Sequence, residues 1–133
     1  MDCIFCKIIS GEIPSYKVYE DEFTLAILDI NPLNPGHVLV LPKKHVVNIE
    51  AADETTLCQI VRIVKKAGES LKKNLNAPGY NVLVNNDPVA GQVVPHLHFH
   101  VAPRTLDDGL KLWPQKKYKP GEAEAVLNKI KII

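Results

Sequence analysis

Pro95-His96-Leu97-His98-Phe99-His100-Val101-Ala102 is the stretch from which the architecture of this chain follows. Apolar and histidine residues alternate with period two, the signature of a β-strand with one face buried, so a strand is predicted over residues 96–102. Leu97, Phe99 and Val101 need a core, and that requirement sends His96, His98 and His100 together to the opposite face. Three imidazoles within about 7 Å along one strand are more than packing asks for. The pattern leaves two chemistries open: a metal held from one face, or nucleophilic attack at phosphorus by a neutral imidazole supported by its neighbours.

Outward from this strand, the remaining elements are short and bounded by ten prolines. Residues 16–20 and 23–29 read as a hairpin around Asp21-Glu22, and residues 37–41 as an aliphatic strand halted by Pro42. Residues 80–85 form a further strand, followed by a loop over residues 86–94 whose Gly91 permits close approach of backbone amides to a ligand. Asp53 is a suitable N-cap for one long helix whose apolar stripe takes Leu57, Ile60, Val61, Val64, Ala67, Leu71 and Leu75, with Lys65, Lys66, Lys72 and Lys73 off the stripe. Cys58, next to that stripe, is expected to be a buried small hydrophobe. A final helix is predicted over residues 122–130. Five strands around one long helix and a C-terminal helix give an α+β fold with a largely antiparallel sheet.

Length and composition set the limits. At 133 residues, 46% hydrophobic and 23% charged, the chain suits a single globular domain spanning 1–133, with a core over 3–104 and an extension over 105–133. Lys+Arg 16 against Asp+Glu 15 supplies no general attraction to nucleic acid or to an anionic membrane. Lys111, Lys116, Lys117 and Lys119 around Trp113 and Tyr118 therefore read as a solvated segment rather than an RNA patch. No apolar run reaches the length of a membrane span, and Met1-Asp2-Cys3 lacks a signal-peptide layout. Three cysteines make no disulfide framework, and a cytoplasmic location is expected. Cys3-Ile4-Phe5-Cys6 alone leaves redox, metal and coincidence open, though the βαβ context of a thioredoxin-like redox pair is missing.

The stretch 96–102 matches the His-φ-His-φ-His-φ-φ signature of the histidine triad superfamily of nucleotide hydrolases and transferases. Segments 3–14, 25–30 with Gly36-His37, 41–45, 79–85 and Gly91-Gln92 also resemble the family in order, so the resemblance covers most of the chain. It implies a nucleotidyl-histidine mechanism in which His98 is the nucleophile and His100 steadies charge on the phosphate. Gly91, Gln92 and Val93 resemble the remaining phosphate contacts, and Asn85 the asparagine on the phosphate side. Asp29 stands where the family binds ribose, although by itself it reads as a turn cap before Asn31-Pro32. Phe5, Ile8, Ile13, Ile27 and Ile30 resemble the apolar slot for the base, and His37 the histidine behind the catalytic strand.

The resemblance is nearest to bacterial-type zinc-containing members related to the adenosine phosphoramidase branch. It implies a structural zinc on Cys3, Cys6, His45 and His96, a closed set of four ligands. It further implies a homodimer and a purine nucleotide conjugate as substrate, with Trp113 in a segment that can approach the partner's site. A serine stands at the position of Val93 in the phosphoramidase branch, so a hydroxyl donor is missing here. Pro103-Arg104 leans toward the alternative of a diadenosine polyphosphate hydrolase. A non-catalytic zinc-stabilised nucleotide-binding or interaction module is the alternative from another class.

Overall fold

The computed structural model describes residues 2–132; Met1 and Ile133, included in the single-domain expectation, lie outside the described residues. A short helix α1 (Ile4–Ile9) precedes a hairpin of β1 (Lys17–Glu20) and β2 (Thr24–Leu28), then β3 (Val38–Pro42). The long helix α2 (Glu54–Leu75) leads into β4 (Gly79–Val84), a 3-10 turn (Pro88–Ala90), β5 (Phe99–Arg104) and α3 (Glu122–Ile130). The five strands form one antiparallel sheet in the order β1-β2-β3-β5-β4. The α+β architecture with a five-stranded antiparallel sheet is as the sequence predicts.

Both faces of this sheet are covered, which explains why β2 and β3 are almost continuously buried. On one face α2 packs Ile60, Ile63, Val64, Ala67 and Leu71 against Ala26, Val38, Val40, Leu97, Phe99 and Val101. On the other, α1 packs Phe5 and Ile8 against Leu25, Ile27, Leu39 and Leu41. α1 was not foreseen from sequence. Its six residues are too few to show a periodicity, and Cys3 caps it by accepting from the Cys6 amide through Sγ.

Asp53 caps α2 as predicted, accepting at 2.8 Å from the Thr56 amide. The stripe needs revision at two points. Val61 and Leu75 are exposed, whereas Ile63, omitted from the predicted stripe, is fully in the core. The expectation for Cys58 is also corrected: its place on α2 turns it to solvent, and it is exposed.

The histidine strand begins later than its alternation suggests, with β5 starting at Phe99 rather than His96. The chain bends at residues 94–96, where the His96 amide donates to the Val94 carbonyl, and the Leu97 amide then pairs with Val46 rather than with a ladder partner. The alternation of faces survives the bend. Leu97, Phe99 and Val101 enter the α2 core, while His96 and His98 meet Phe5 of α1 edge to face at 5.8 and 5.0 Å between centroids.

Candidate active site

Between α1 and the ends of β2 and β3 lies a cavity of about 400 Å³, large enough for a nucleotide-sized ligand. Phe5, Ile8, Ile13 and Ile27 form its apolar part, Asp29 and Ile30 its rim, and Asn85, Gly91, Val93, His98 and His100 its polar end. Ile4, Ser15, Leu39 and Val94 line it as well and were not picked out from sequence. Leu39 had a readable signal, since it alternates with Val38 and Val40, which face α2. Ser15 had none; its hydroxyl is buried without a partner.

Hydrogen bonds assign the proton on His98, His37 and His100. His98 Nδ1 lies 2.7 Å from the His96 carbonyl, which only accepts, so Nδ1 carries the proton and Nε2 keeps its lone pair. Leu33 donates its amide to His37 Nδ1 at 3.0 Å, so the proton of neutral His37 is on Nε2. That Nε2–H donates to His100 Nδ1 at 2.9 Å, leaving the second nitrogen of His100 protonated as a donor. His98 and His100 thus offer one nucleophile and one hydrogen-bond donor, their rings 5.0 Å apart.

Burial disfavours the charged form of these rings. Desolvation lowers the pKa of His98 and of His37, and it lowers His100 to about 4, helped by the neighbouring His98 and His37 and opposed by Asp29. Asp29 accepts the Asn31 amide at 2.8 Å through Oδ1, so it is the turn cap its sequence context suggests. It also lines the cavity, with Oδ2 3.8 Å from His37 Nε2. The cap leaves lone pairs free for further donors.

Gln92 departs from expectation. Its side chain does not line the cavity; it is buried, accepting from the Asp87 amide at 2.8 Å and donating to the Val47 and Val94 carbonyls at 2.6 and 3.1 Å. A carboxamide so engaged has no donor left for a phosphate oxygen. Arg104 is likewise committed elsewhere, to Asp108, Asn81 and the Leu110 carbonyl.

Behind His98 stands a second cluster. Donor atoms of Cys3, Cys6, His45 and His96 all lie within 4.8 Å of one another. His96 Nε2–H donates to the Pro42 carbonyl at 2.8 Å, which turns the Nδ1 lone pair toward the cluster. There it lies 3.1 Å from His45 Nδ1, 3.4 Å from Cys3 Sγ and 3.7 Å from Cys6 Sγ. Tetrahedral zinc bound to two sulfurs and two nitrogens needs edges of about 3.3–3.8 Å, so the donor set fits that ion. Two thiols and two imidazoles make up the four ligands of such an ion. α1, the segment after β3 and the histidine strand all contribute to this cluster.

Among the described residues, no helix is long and apolar enough to cross a membrane. Trp113 is exposed beside Leu110 and Leu112 in a separate groove of about 430 Å³ along β4.

The HIT domain family model matches residues 10–106. An uncharacterised HIT-like protein of Methanocaldococcus jannaschii is 56% identical over 107 residues, covering 80% of this chain and 82% of that one. The adenosine 5′-monophosphoramidase of Schizosaccharomyces pombe is 40% identical over 128 residues, covering 95% and 93%. The crystal structure of a zinc-bound histidine triad family protein from Mycobacterium smegmatis superposes with a TM-score of 0.80 at 36% identity, covering 94% of this chain and 88% of that one.

Proposed function

Since this chain belongs to the HIT, or histidine triad, family, we propose that it is a nucleotide hydrolase or transferase acting at the α-phosphorus of adenosine nucleotide conjugates such as phosphoramidates. The observation that carries this reading is the fixed tautomer of His98, whose Nδ1–H is held by the His96 carbonyl while the ring borders the cavity. His98 Nε2 attacks phosphorus, the bond to the leaving group breaks, and the leaving group departs with its electron pair. Water then attacks the resulting nucleotidyl-histidine, releasing the nucleotide and restoring His98.

The other roles follow the chemistry of the lining. His100 donates to a non-bridging phosphate oxygen, and the Val93 amide is a second donor at that end. Asp29 accepts from the ribose hydroxyls. Phe5, Ile8, Ile13 and Ile27 take the base, with Ile30 at the rim. Asn85 and Gly91 border the phosphate end. Cys3, Cys6, His45 and His96 would hold zinc, which supplies a cross-link among three segments and no step of the reaction.

A homodimer is part of the same reading. β4 is an edge strand, and the groove beside it exposes Leu112 and Trp113, an apolar surface suited to a second copy. Light scattering on the purified chain tests that part.

Acid-free quenching of a reaction with labelled adenosine phosphoramidate tests the mechanism. Label is expected on His98, and His98→Ala should bind adenosine 5′-monophosphate while losing turnover by more than about a thousandfold. Label on His100, or turnover without any trapped label, would refute it.

A further inference from the structure

Asp87 has φ 73 and ψ 155, a backbone conformation that is essentially reserved for glycine. The only other non-glycine residue with positive φ among those described is Asn76, which closes α2 in an ordinary left-handed cap. Asp87 opens the loop whose far end, Gly91, Val93 and Val94, borders the nucleotide cavity.

The restraint on Asp87 comes from Gln92. The Asp87 amide donates to Gln92 Oε1 at 2.8 Å, and the Gln92 amide returns a bond to the Asp87 carbonyl at 3.2 Å. The two donors of the carboxamide are fixed on Val47 and Val94, so the side chain, 7% exposed, is anchored at three points. Asn48 and Ile49 add bonds to Asp87 Oδ1 and Asn86 Oδ1, tying the same loop to the segment after β3. Within this rigid loop the Val93 and Val94 amides find no acceptor among the described residues. Unpartnered amides bordering a cavity are donors for an anion.

We propose that Gln92 is a positioning residue: its buried carboxamide holds Asp87 in a glycine-like conformation and thereby fixes the free Val93 and Val94 amides where a nucleotide's phosphate binds. The proposal rests on the nucleotide reading above. It assigns Gln92 an indirect role in place of direct contact with the phosphate. Releasing the clamp lets Asp87 relax to negative φ, which swings the loop end and its amides away. The base and ribose contacts, on α1 and β2, stay as they are.

Calorimetric titration with adenosine and with adenosine 5′-monophosphate separates the two ends of the ligand. The wild-type chain is expected to favour the monophosphate. Gln92→Ala should keep its adenosine affinity within about twofold and lose about tenfold or more of the monophosphate preference. Asp87→Gly in that background should recover part of the preference, because glycine adopts the required conformation without the clamp. Asp87→Val, an exposed site that leaves the carboxamide and the core intact, should reproduce the loss and decides the matter if Gln92→Ala does not fold. A wild-type preference in Gln92→Ala or in Asp87→Val, or no recovery with glycine, would overturn the proposal. A wild-type chain with no preference for the monophosphate would instead overturn the nucleotide reading itself.

Discussion

His37 Nε2 lies 2.9 Å from His100 Nδ1, so a residue just before β3 decides which nitrogen of His100 bears the proton. Because the Leu33 amide occupies the other side of His37, the relay has one direction only. His37→Ala removes the donor and frees His100 to take either tautomer. The expected result is a kcat reduced about tenfold with KM within twofold, the effect of about 1.5 kcal/mol of transition-state stabilisation. A purely structural role would lower the melting temperature and leave kcat of the folded fraction unchanged.

Stability should depend on pH in a defined window. The unfolded chain protonates His100 near its ordinary value of 6.5, but the fold resists that proton until about 4. Between those values the unfolded state binds more protons, so stability is complete above pH 6.5 and declines as pH falls toward 4. His37 is shifted in the same direction, again because burial disfavours its charged form. Melting temperatures measured from pH 8 to 4 should be level at first and then fall; a level profile across the whole range would contradict the assignment.

Zinc should matter to the fold more than to the reaction. Elemental analysis is expected to find about one zinc per chain, and Cys6→Ser should lose metal and melt at lower temperature. Chelation that abolished turnover yet left the melting temperature intact would make the metal catalytic and reassign His96.

Val93 lines the polar end of the cavity and is 90% exposed, and valine has no donor there besides its backbone amide. An amine leaves poorly without a proton, whereas a phosphate or carboxylate leaves unaided. Val93→Ser should therefore raise turnover of phosphoramidates by about tenfold and leave mixed anhydrides nearly unchanged. Equal gains for both classes would locate proton donation elsewhere, with His100 the first residue to test.

Gly68, in the middle of α2, lies under the ring of Tyr80 at the start of β4, so an added methyl group would overlap that ring. Alanine gains about 1 kcal/mol of helix propensity, but overpacking against a held aromatic ring costs about 1–3 kcal/mol. Gly68→Ala should thus be neutral to destabilising by up to about 2 kcal/mol. A denaturation midpoint clearly above that of the wild type would show that the ring yields freely.

Much of the site is legible in the sequence for a local reason. A strand turns alternate side chains to opposite faces, so Leu97, Phe99 and Val101 had to take the core and leave His98 and His100 together. The long helix announces itself by its stripe and by Asp53 at its start. Phe5, Ile8, Ile13, Ile27 and Asp29 of the cavity are legible through family resemblance, whose segments recur in order along most of the chain, whereas Ile4, Leu39 and Val94 are not. α1 stayed hidden because one and a half turns carry no periodic signal.

Alternation along the chain determined which face each histidine takes, since that is a property of the extended backbone itself. The tertiary structure alone decided what each polar side chain faces there. Gln92 turns from the cavity because an acceptor 45 residues away, the Val47 carbonyl, is brought beside it. The proton on His37 is fixed by the Leu33 amide, and the proton on His96 by the Pro42 carbonyl, 54 residues distant. Cys58 is exposed because it lies on the face of α2 opposite Ile60, Ile63, Val64, Ala67 and Leu71, which the sheet covers. Hydrogen-bond partners and helix facing are set by which segments meet in space, and a linear pattern does not contain that information.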